Sequence, residues 1–490
     1  MTEQKKPPYG IIAILFTGAF VAIFTQTLLN IALPAIMTDL KIEASTAQWL
    51  ITGYMLVNGI LIPASAYFIQ RYSNRSIFIL AMSLFALGTL LAGLAPTFSV
   101  LLAARMIQAS GAALMMPLLM NVILVAFPVE RRGSAMGIFG LVMIVAPAIG
   151  PTLSGFVVEH YSWRVLFFIV LPLALIPLAL GIFKLKNLTS QNKELTLDKT
   201  SLVFSSLGFG GILYGFSAAG QNGWSDPYVL GTISIGVVSL VTFIFRQFKL
   251  KDPLLEFRIY KYPMFALSSA ISIVVSISMF SAMILMPIYV QTIKGISPMD
   301  SGLIMLPGAL VMGFMSPVTG KLFDKYGAKI LAIIGMSIVV ISTYFFSELS
   351  LDTSYLHIMF LYTIRMLGIS MVMMPIMTNG LNSLPKKVYP HGTAMNNTLQ
   401  QVSGAIGSAL LITVMNTRAT SAGKDLALSG ADPASIIKSS LMEGINYTFF
   451  ISTFIAAAAL LLTLFIKKPQ IPVTEEEKDR VFTQEPVNES

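Results

Sequence analysis

Cysteine is missing from the 490-residue chain, and only three histidines are present. Without cysteine there is no disulfide framework and no thiolate-ligated metal site, and the three histidines form no cluster in the sequence. The phosphate-binding pattern G-x-x-x-x-G-K-[ST] is missing too, so nucleotide hydrolysis is not the expected energy source. No catalytic constellation takes the place of these motifs. The sequence therefore predicts neither an enzyme nor a protein that carries a metal ion or another cofactor.

Charge is also scarce. Only 11% of the residues are charged, 55% are hydrophobic, and the mean hydropathy is +0.77, far from the balance of a soluble domain. This composition predicts an all-α polytopic membrane protein. A net charge of +9 would suggest nucleic acid in a soluble protein, but here the basic residues lie in short loops between apolar runs. We therefore predict a lipid bilayer around the chain and no nucleic-acid partner.

Fourteen stretches are apolar over about 20 residues, the length that spans a bilayer. In order they are 11–33, 47–69, 77–95, 100–127, 135–158, 165–184, 200–219, 227–246, 263–291, 298–319, 328–347, 355–383, 393–416 and 446–466. The first is too long for a cleaved signal peptide, so we predict that it is a transmembrane helix. Because the number is even, both termini are expected on one side of the membrane.

Lysine and arginine predict which side that is. If the termini and the even-to-odd loops are cytoplasmic, the cytoplasmic side carries 24 of the 32 basic residues and the outer side carries six. The remaining two, Arg105 and Arg365, lie inside apolar runs. Because cytoplasmic loops are enriched in lysine and arginine, the distribution predicts cytoplasmic N- and C-termini.

The two halves of the chain repeat each other at offsets of 254 to 260 residues. The matching pairs are 66–75 with 320–329, 105–106 with 365–366, 115–121 with 373–379, 133–136 with 392–395 and 148–150 with 405–407. The partners lie eight helices apart and so cross the membrane in the same direction. This predicts a parallel repeat in which helices 1–6 form one bundle, helices 9–14 form the other, and helices 7 and 8 are an insertion.

The repeat and the composition divide the chain into five parts. These are an N-terminal six-helix bundle (1–184), a linker with the inserted helices 7 and 8 (185–248), a cytoplasmic interfacial segment (249–262), a C-terminal six-helix bundle (263–466) and a disordered cytoplasmic tail (467–490).

A short loop between two apolar runs carries the clearest motif. Residues 320–329 read G-K-L-F-D-K-Y-G-A-K. Gly320 permits a close helix contact, Gly327 a tight turn, and Asp324 can face the positive end of a nearby helix. The string resembles the signature loop of the major facilitator superfamily of secondary transporters, and the resemblance covers roughly 11–466. It implies the major facilitator fold, with two six-helix bundles and here two inserted helices.

Helix 4 carries an arginine at a depth where a charge is costly. Arg105, Gln108 and Gly111 resemble the R-x-x-Q-x-x-G pattern of the superfamily. The resemblance implies that Arg105 takes part in proton coupling or state switching, and Arg365 is its repeat partner. The alternative for both is a structural arginine satisfied by backbone carbonyls.

Helix 5 reads G-P-x-x-x-G at Gly150, Pro151 and Gly155, which resembles the pattern of proton-driven exporters. Proline breaks the backbone ladder and glycine permits close contact, so this helix can bend during gating, although a plain packing kink is the alternative. Residues 162–164, S-W-R, resemble a string of the 14-helix drug:proton antiporter branch, which includes multidrug and lincosamide-type efflux proteins. The resemblance implies a bacterial cytoplasmic membrane.

Helix 1 departs from that branch. Where a carboxylate is often found, this chain has Thr25 and Gln26, and no Asp or Glu lies deep within any of the fourteen runs. Because a cationic substrate in a low-dielectric cavity is usually matched by a buried carboxylate, this absence favours neutral, zwitterionic or anionic substrates. Asp300, at the outer end of helix 10, is the remaining candidate for the proton carrier, with a solvated helix cap as the alternative.

The polar residues near the middle of the membrane are mainly amides. They lie four residues apart on shared helix faces and can bind a neutral substrate or join one helix to another. The candidate substrate-binding residues are Gln26, Asn30, Tyr54, Asn58, Asn396, Asn397, Gln400 and Gln401.

The resemblance as a whole implies a monomeric exporter that moves small amphiphilic molecules outward in exchange for protons by alternating access. Two alternatives stay open. One is an exporter of a single endogenous anionic amphiphile or nucleotide-like metabolite, which the two intramembrane arginines would suit. The other is a lipid or glycolipid translocase, in which helices 7 and 8 would shape a lateral opening.

Overall fold

The computed structural model describes residues 9–42, 44–189, 191–428 and 432–468, and this part of the chain is helical almost throughout, without a strand. Fourteen α-helices of 19 to 40 residues form it. They are α1 (Tyr9–Leu40), α2 (Ala44–Arg71), α3 (Asn74–Gly93), α4 (Phe98–Ala126), α5 (Arg132–His160), α6 (Arg164–Lys184), α7 (Lys199–Asn222), α8 (Pro227–Lys249), α9 (Pro263–Ile288), α10 (Pro298–Tyr326), α11 (Ala328–Phe346), α12 (Tyr355–Asn382), α13 (Tyr389–Leu428) and α14 (Pro433–Thr463). The predicted all-helical class is confirmed.

Most of these helices are suited to a membrane. Within the described residues, thirteen contain an apolar run long enough to cross a bilayer, and α5, with 29 residues, has the necessary length. We call the end of the molecule where α1 begins and α14 ends the basic end, because most of the lysines and arginines lie there. The opposite end is called the far end.

Several helices extend beyond the apolar runs that predicted them, among them α1, α13 and α14. Helix α1 passes through Pro34 to Leu40, because a proline inside a long helix can bend it without ending it. Helix α13 begins at Tyr389 and ends at Leu428, whereas the apolar run covers only 393–416. Its 40 residues span about 60 Å, twice the thickness of the hydrocarbon core. Helix α14 begins at Pro433, thirteen residues ahead of its apolar run at 446–466, so the two form a helical hairpin beyond the membrane.

The helices pack as two bundles, α1–α6 and α9–α14, that meet along two seams. In the first seam α5 packs along α10, and in the second seam α2 packs along α13. The repeat makes these seams equivalent, since α2 corresponds to α10 and α5 to α13. Helix α12 also contacts α5, and α13 contacts α4. The space between the bundles is therefore bounded by the two seams.

The inserted helices α7 and α8 form a hairpin at the second seam. Helix α7 packs on α8 and also on α2 and α13. Trp49 of α2 stacks on Tyr214 of α7 with ring centroids 5.5 Å apart, and the Trp224 indole donates a hydrogen bond to Thr413 of α13. The segment 249–262 that follows is anchored by Leu254, whose N–H donates to Gln247 Oε1 at 2.7 Å. The hairpin thus touches both bundles.

Candidate functional site

Arg105 is fully buried in the N-terminal bundle and is held without a carboxylate. Its Nη1 donates to Gln108 Oε1, and Gln108 Nε2 donates in turn to Thr89 Oγ1 of α3 at 2.7 Å. The guanidinium lies 4.3 Å from the ring centroid of Tyr54, in cation–π geometry. Its Nε has no hydrogen-bond partner among the described residues.

Arg365 has an equivalent setting in the C-terminal bundle. Its Nε donates to Thr343 Oγ1 of α11 at 3.1 Å, and its Nη2 donates to the carbonyl and hydroxyl oxygens of Ser278 at 2.5 and 2.9 Å. Its Nη1 has no partner in the described part of the chain. Arg105 and Arg365 are therefore desolvated side chains bound by hydroxyl, amide or carbonyl groups, and neither forms an ion pair in the described part of the chain.

Asp324 binds the N-terminus of α5 across the first seam. Its two carboxylate oxygens accept hydrogen bonds from the N–H groups of Gly133 and Ser134, each at 2.8 Å, and the Ser134 hydroxyl donates as well. The free N–H groups and the dipole at a helix N-terminus favour a negative charge. The carboxylate therefore fastens α10 to α5 at the basic end.

Small residues bring α5 and α10 into backbone contact in the same region. A Cβ added to Gly320 would lie 2.3 Å from the Gly133 oxygen, and one added to Gly137 would lie 2.6 Å from the Ser316 oxygen. The Ser316 hydroxyl donates to the Gly137 oxygen at 2.9 Å. Gly327 ends α10 with φ +78, a conformation that favours glycine.

Arg132 joins the bundles next to Asp324, and the sequence did not predict it. Its Nη1 donates to Asn382 Oδ1 at 2.8 Å and to Tyr389 Oη at 2.9 Å, both in the C-terminal bundle. Its Nη2 donates to the Leu124 carbonyl at 2.6 Å. The only signal in the sequence for Arg132 is that the repeat pairs it with His391, which also lies at a seam.

The hydrogen bonds that join the two bundles within the described residues cluster in the basic half of the molecule. Besides the contacts of Asp324, Arg132 and Ser316, they include Gln70 with His391 and Asn397 with Met120. The described residues of the far half contribute none. The bundles are thus fastened to each other at the basic end.

The candidate substrate-binding amides occupy different positions. Tyr54 and Asn58 are buried together on α2, whereas Gln26 is partly exposed on α1. Asn396 and Asn397 are buried at the start of α13. Asn397 Nδ2 donates to the Thr393 carbonyl at 2.8 Å, while Asn396 Nδ2 has no partner in the described residues. The side chain of Asn30 lies outside the described residues.

The described residues border two small cavities, the first within the C-terminal bundle and the second between the two bundles. One is lined in part by Ser276 and Gln400, and Gln401 beside it is partly exposed. The other, of about 40 Å³, has room for only a few waters and is bordered by methionines, glycine and serine. Its lining residues are Gly140, Met143, Ile144, Met279, Met312, Ser316, Ser370, Met373 and Met374. Neither lining contains a charged side chain, and the sequence had not singled out these methionines.

The remaining candidates lie apart from these contacts. A Cβ added to Gly150 would lie 2.2 Å from Thr27 Oγ1, so α5 packs tightly on α1 there. A Cβ at Gly155 would meet no atom within 4 Å, which places this glycine outside any close helix contact. The side chain of Pro151 lies outside the described residues. Asp300 is exposed at the start of α10 and accepts a hydrogen bond from Ser297 Oγ at 2.8 Å, the arrangement of a helix cap.

The S-W-R string ties α6 to α1 at the far end. Arg164 Nη1 donates to Asp39 Oδ2 at 2.7 Å, and the Trp163 indole donates to the same oxygen at 3.0 Å. The Arg164 hydrogen bond, followed by that of Trp163, lowers the pKa of Asp39. These contacts remain within the N-terminal bundle and so maintain its shape.

Similar proteins share both the sequence and the fold. The family model of the Major Facilitator Superfamily matches residues 15–408. The uncharacterised MFS-type transporter YcnB of Bacillus subtilis (strain 168) is 47% identical over 478 residues, which is 97% of this chain and 99% of that protein. The lincomycin resistance protein LmrB of the same organism is 44% identical over 476 residues, 96% and 98% of the two chains. The crystal structure of the human organic anion transporter MFSD10 (TETRAN) matches with a TM-score of 0.63 over 92% of this chain and all of that one, at 12% identity, and so shares the fold.

Proposed function

This chain belongs to the Major Facilitator Superfamily, and on that premise we propose that it is a secondary active exporter that moves amphiphilic, drug-like compounds in exchange for protons. The observation that carries the proposal is the arrangement of the two seams, which are fastened by hydrogen bonds only in the basic half of the described residues. Two bundles held at one end can rock about the space between them and expose it to each side of the membrane in turn.

For substrate to enter from the basic end, the hydrogen bonds that join the bundles at that end must break. We place it in the cytoplasm of a bacterial cell, because positive charge collects on the cytoplasmic side of membrane proteins. Opening there separates Asp324 from the N-terminus of α5 and Arg132 from Asn382. The loop 320–329 and the buried arginines Arg105 and Arg365 are the groups that we assign to gating and coupling.

The proposed substrate class rests on the residues that line the cavities and on the buried arginines. Methionine adapts its shape to varied apolar surfaces, and the cavity linings carry no charge that would require an opposite charge on the substrate. Similarity to a lincomycin resistance protein supports a drug-like amphiphile. We propose neutral or zwitterionic compounds as the main substrates. A single anionic metabolite is the second candidate, favoured by the buried Arg105 and Arg365, which have no carboxylate partner in the described residues.

The test is proton-coupled flux in liposomes. The purified protein is reconstituted with an imposed proton gradient, and internal pH is followed while lincomycin and other neutral, anionic and permanently cationic amphiphiles are added one at a time. Proton flux triggered by neutral or zwitterionic compounds is the expected result. Flux with a narrow set of anions alone would replace the main proposal with the second candidate. No flux with any class would refute proton-coupled export of drug-like compounds.

A further inference from the structure

The second seam is held at the basic end by a buried histidine. His391 Nε2 lies 2.9 Å from the side-chain amide nitrogen of Gln70, at the end of α2. His391 Nδ1 accepts a hydrogen bond from the backbone N–H of Glu256 at 3.2 Å. One imidazole ring, at 6% exposure, therefore joins the N-terminal bundle, the segment 249–262 and the C-terminal bundle.

The internal repeat makes this contact the counterpart of the Asp324 contact. Gln70 is the fifth residue of 66–75, as Asp324 is the fifth of 320–329. His391 precedes Gly392 at the start of α13 as Arg132 precedes Gly133 at the start of α5. Each seam thus joins the same loop position to the beginning of an equivalent helix. The first seam uses a carboxylate, and the second uses a neutral amide and an imidazole.

The protonation state of His391 decides whether this contact is favourable. Both ring nitrogens face N–H groups, one from the backbone of Glu256 and one from the Gln70 amide. A neutral imidazole has one acceptor nitrogen, so it accepts either from the Glu256 N–H at Nδ1 or from the Gln70 amide at Nε2, and the Gln70 amide also donates to the Ala66 carbonyl at 3.1 Å. An imidazolium has no acceptor, so both of its N–H groups would oppose donors. Protonation therefore removes the one hydrogen bond that the ring can accept and weakens the closed second seam.

No acidic side chain offsets that repulsion. The carboxylate of Glu256 accepts a hydrogen bond from the N–H of Arg258 at 2.9 Å and forms an ion pair with its guanidinium at 3.3 Å. The other charged residues at the basic end of the elements around the ring are Arg71, Lys193, Glu194, Lys249, Lys251, Asp252, Lys261, Lys386 and Lys387. In the described part of the chain none of them forms an ion pair with His391.

We propose that Gln70, His391 and Glu256 form a titratable latch on the second seam, which opens the basic end when His391 is protonated. Histidine suits this role because it changes charge between about pH 5 and pH 8. The role of the latch in transport rests on the proposed export function. Acid at the basic end favours the state open to that end, and release of the proton there permits closure.

The test measures the separation of the bundles directly. Spin labels are attached to Lys184→Cys and Lys329→Cys, two exposed positions at the basic end of opposite bundles in a chain without other cysteines. Double electron–electron resonance in nanodiscs, without substrate or gradient, compares about pH 8 with about pH 5, the two limits of the histidine range. We expect one short distance at high pH and an added longer one at low pH. His391→Asn, which keeps an acceptor but cannot titrate, should remove the response.

Matched variants distinguish this latch from other causes of a pH-dependent change in the distance between the labels. The chain has two further histidines, both exposed at the far end, so His160→Asn and His357→Asn should retain the response. Gln70→Ala should show the longer distance already at high pH. No pH response in the unsubstituted chain, or a full response in His391→Asn, would overturn the proposal. So would a response that disappears only in Asp324→Asn. Because no transport is measured, these outcomes are distinct from a failure of the export proposal.

Discussion

At the scale of single residues, the contacts of Asp324 depend on its charge. Asp324→Asn keeps the shape of the side chain but loses the carboxylate that accepts from Gly133 and Ser134. Charge-assisted bonds of this kind are worth about 2 kcal/mol, so we expect the basic-end-closed state to lose population and the initial export rate to fall about thirtyfold. Transport into inside-out vesicles measures the effect. Asp352→Asn, in an exposed loop, is the control; an Asp324→Asn rate equal to that of the control would contradict the role.

Gln26 belongs to the residue scale as well, because it offers a partly exposed amide on α1. We expect Gln26→Ala to change the relative export rates of compounds that differ in hydrogen-bonding groups by about fivefold, the value of one hydrogen bond of roughly 1 kcal/mol. Thr17→Ala removes a hydroxyl that bonds only its own helix and should leave the ratios unchanged. Competition assays with pairs of substrates provide the measurement. Unaltered ratios in Gln26→Ala would make this residue structural.

The sequence predicted some of these residues and missed others for a physical reason. Gly320, Asp324 and Gly327 were recognisable because their turn and helix-end chemistry is local. Arg132 looked like one of many basic loop residues, since its partners Asn382 and Tyr389 lie 250 and 257 positions away. A distant contact of this kind leaves no local pattern.

At the scale of elements, the first seam depends on backbone contact between α5 and α10. Gly320→Ala would place a Cβ 2.3 Å from the Gly133 oxygen, and a backbone atom cannot move aside as a flexible side chain can. We expect the helices to separate, with export reduced about tenfold, equivalent to about 1.4 kcal/mol. Gly302→Ala, on the same helix with no atom within 4 Å of the new Cβ, is the matched control. Equal rates for the two variants would rule out a tight seam as a requirement.

The α7–α8 hairpin is joined at the basic end by an ion pair. Asp198 caps α7 and accepts two hydrogen bonds from Arg246, which lower its pKa to about 2. Asp198→Asn should lower the free energy of unfolding by about 1 kcal/mol, which would be measured as a small fall in Tm. Because the folded pKa is depressed, the contribution is complete above the unfolded value near 4 and is lost as the pH falls through about 2. The difference in Tm between the unsubstituted chain and Asp198→Asn should therefore be the same at pH 6 and pH 8. A difference that vanishes within that range would contradict the assignment.

Helix positions were predictable from the sequence, but helix ends were less so. Apolar runs indicate where a helix is in the membrane, and all fourteen runs coincide with helices. They carry no information about a helix that continues into water. Helices α13 and α14 continue there because they pack on each other: Arg418 pairs with Glu443, and Gly444 lies against the backbone of Met415.

At the scale of the whole molecule, the proposed alternating access requires the bundles to separate at the basic end in each cycle. Gly140→Cys and Ser316→Cys would introduce the only two thiols, and a Cβ at Gly140 lies 3.3 Å from that of Ser316, close to disulfide geometry. Oxidation should join α5 to α10 and reduce export at least about tenfold, with recovery on reduction. Each single cysteine variant serves as a control. Full export by the cross-linked protein would exclude separation of this seam from the cycle.

The internal repeat predicts two bundles, because equivalent sequences fold alike. It contained no information on where the inserted hairpin would pack, since α7 and α8 have no counterpart in the other half. Helix α7 packs on both α2 and α13. Contacts such as the stacking of Trp49 on Tyr214 join residues that are far apart in the sequence and meet only in the folded molecule.

The position of α7 gives the molecule two unlike sides toward the surrounding lipid. At the second seam, α7 stands between the bilayer and the junction of α2 with α13, whereas in the described residues no further helix covers the junction of α5 with α10. When the α5–α10 seam separates during the proposed cycle, a compound dissolved in the membrane reaches the space between the bundles from this side, whereas α7 covers the other junction. Hydrophobic substrates are expected to enter from the lipid beside α5 and α10, so delivery to the transporter depends on partitioning into the membrane as well as on concentration in water.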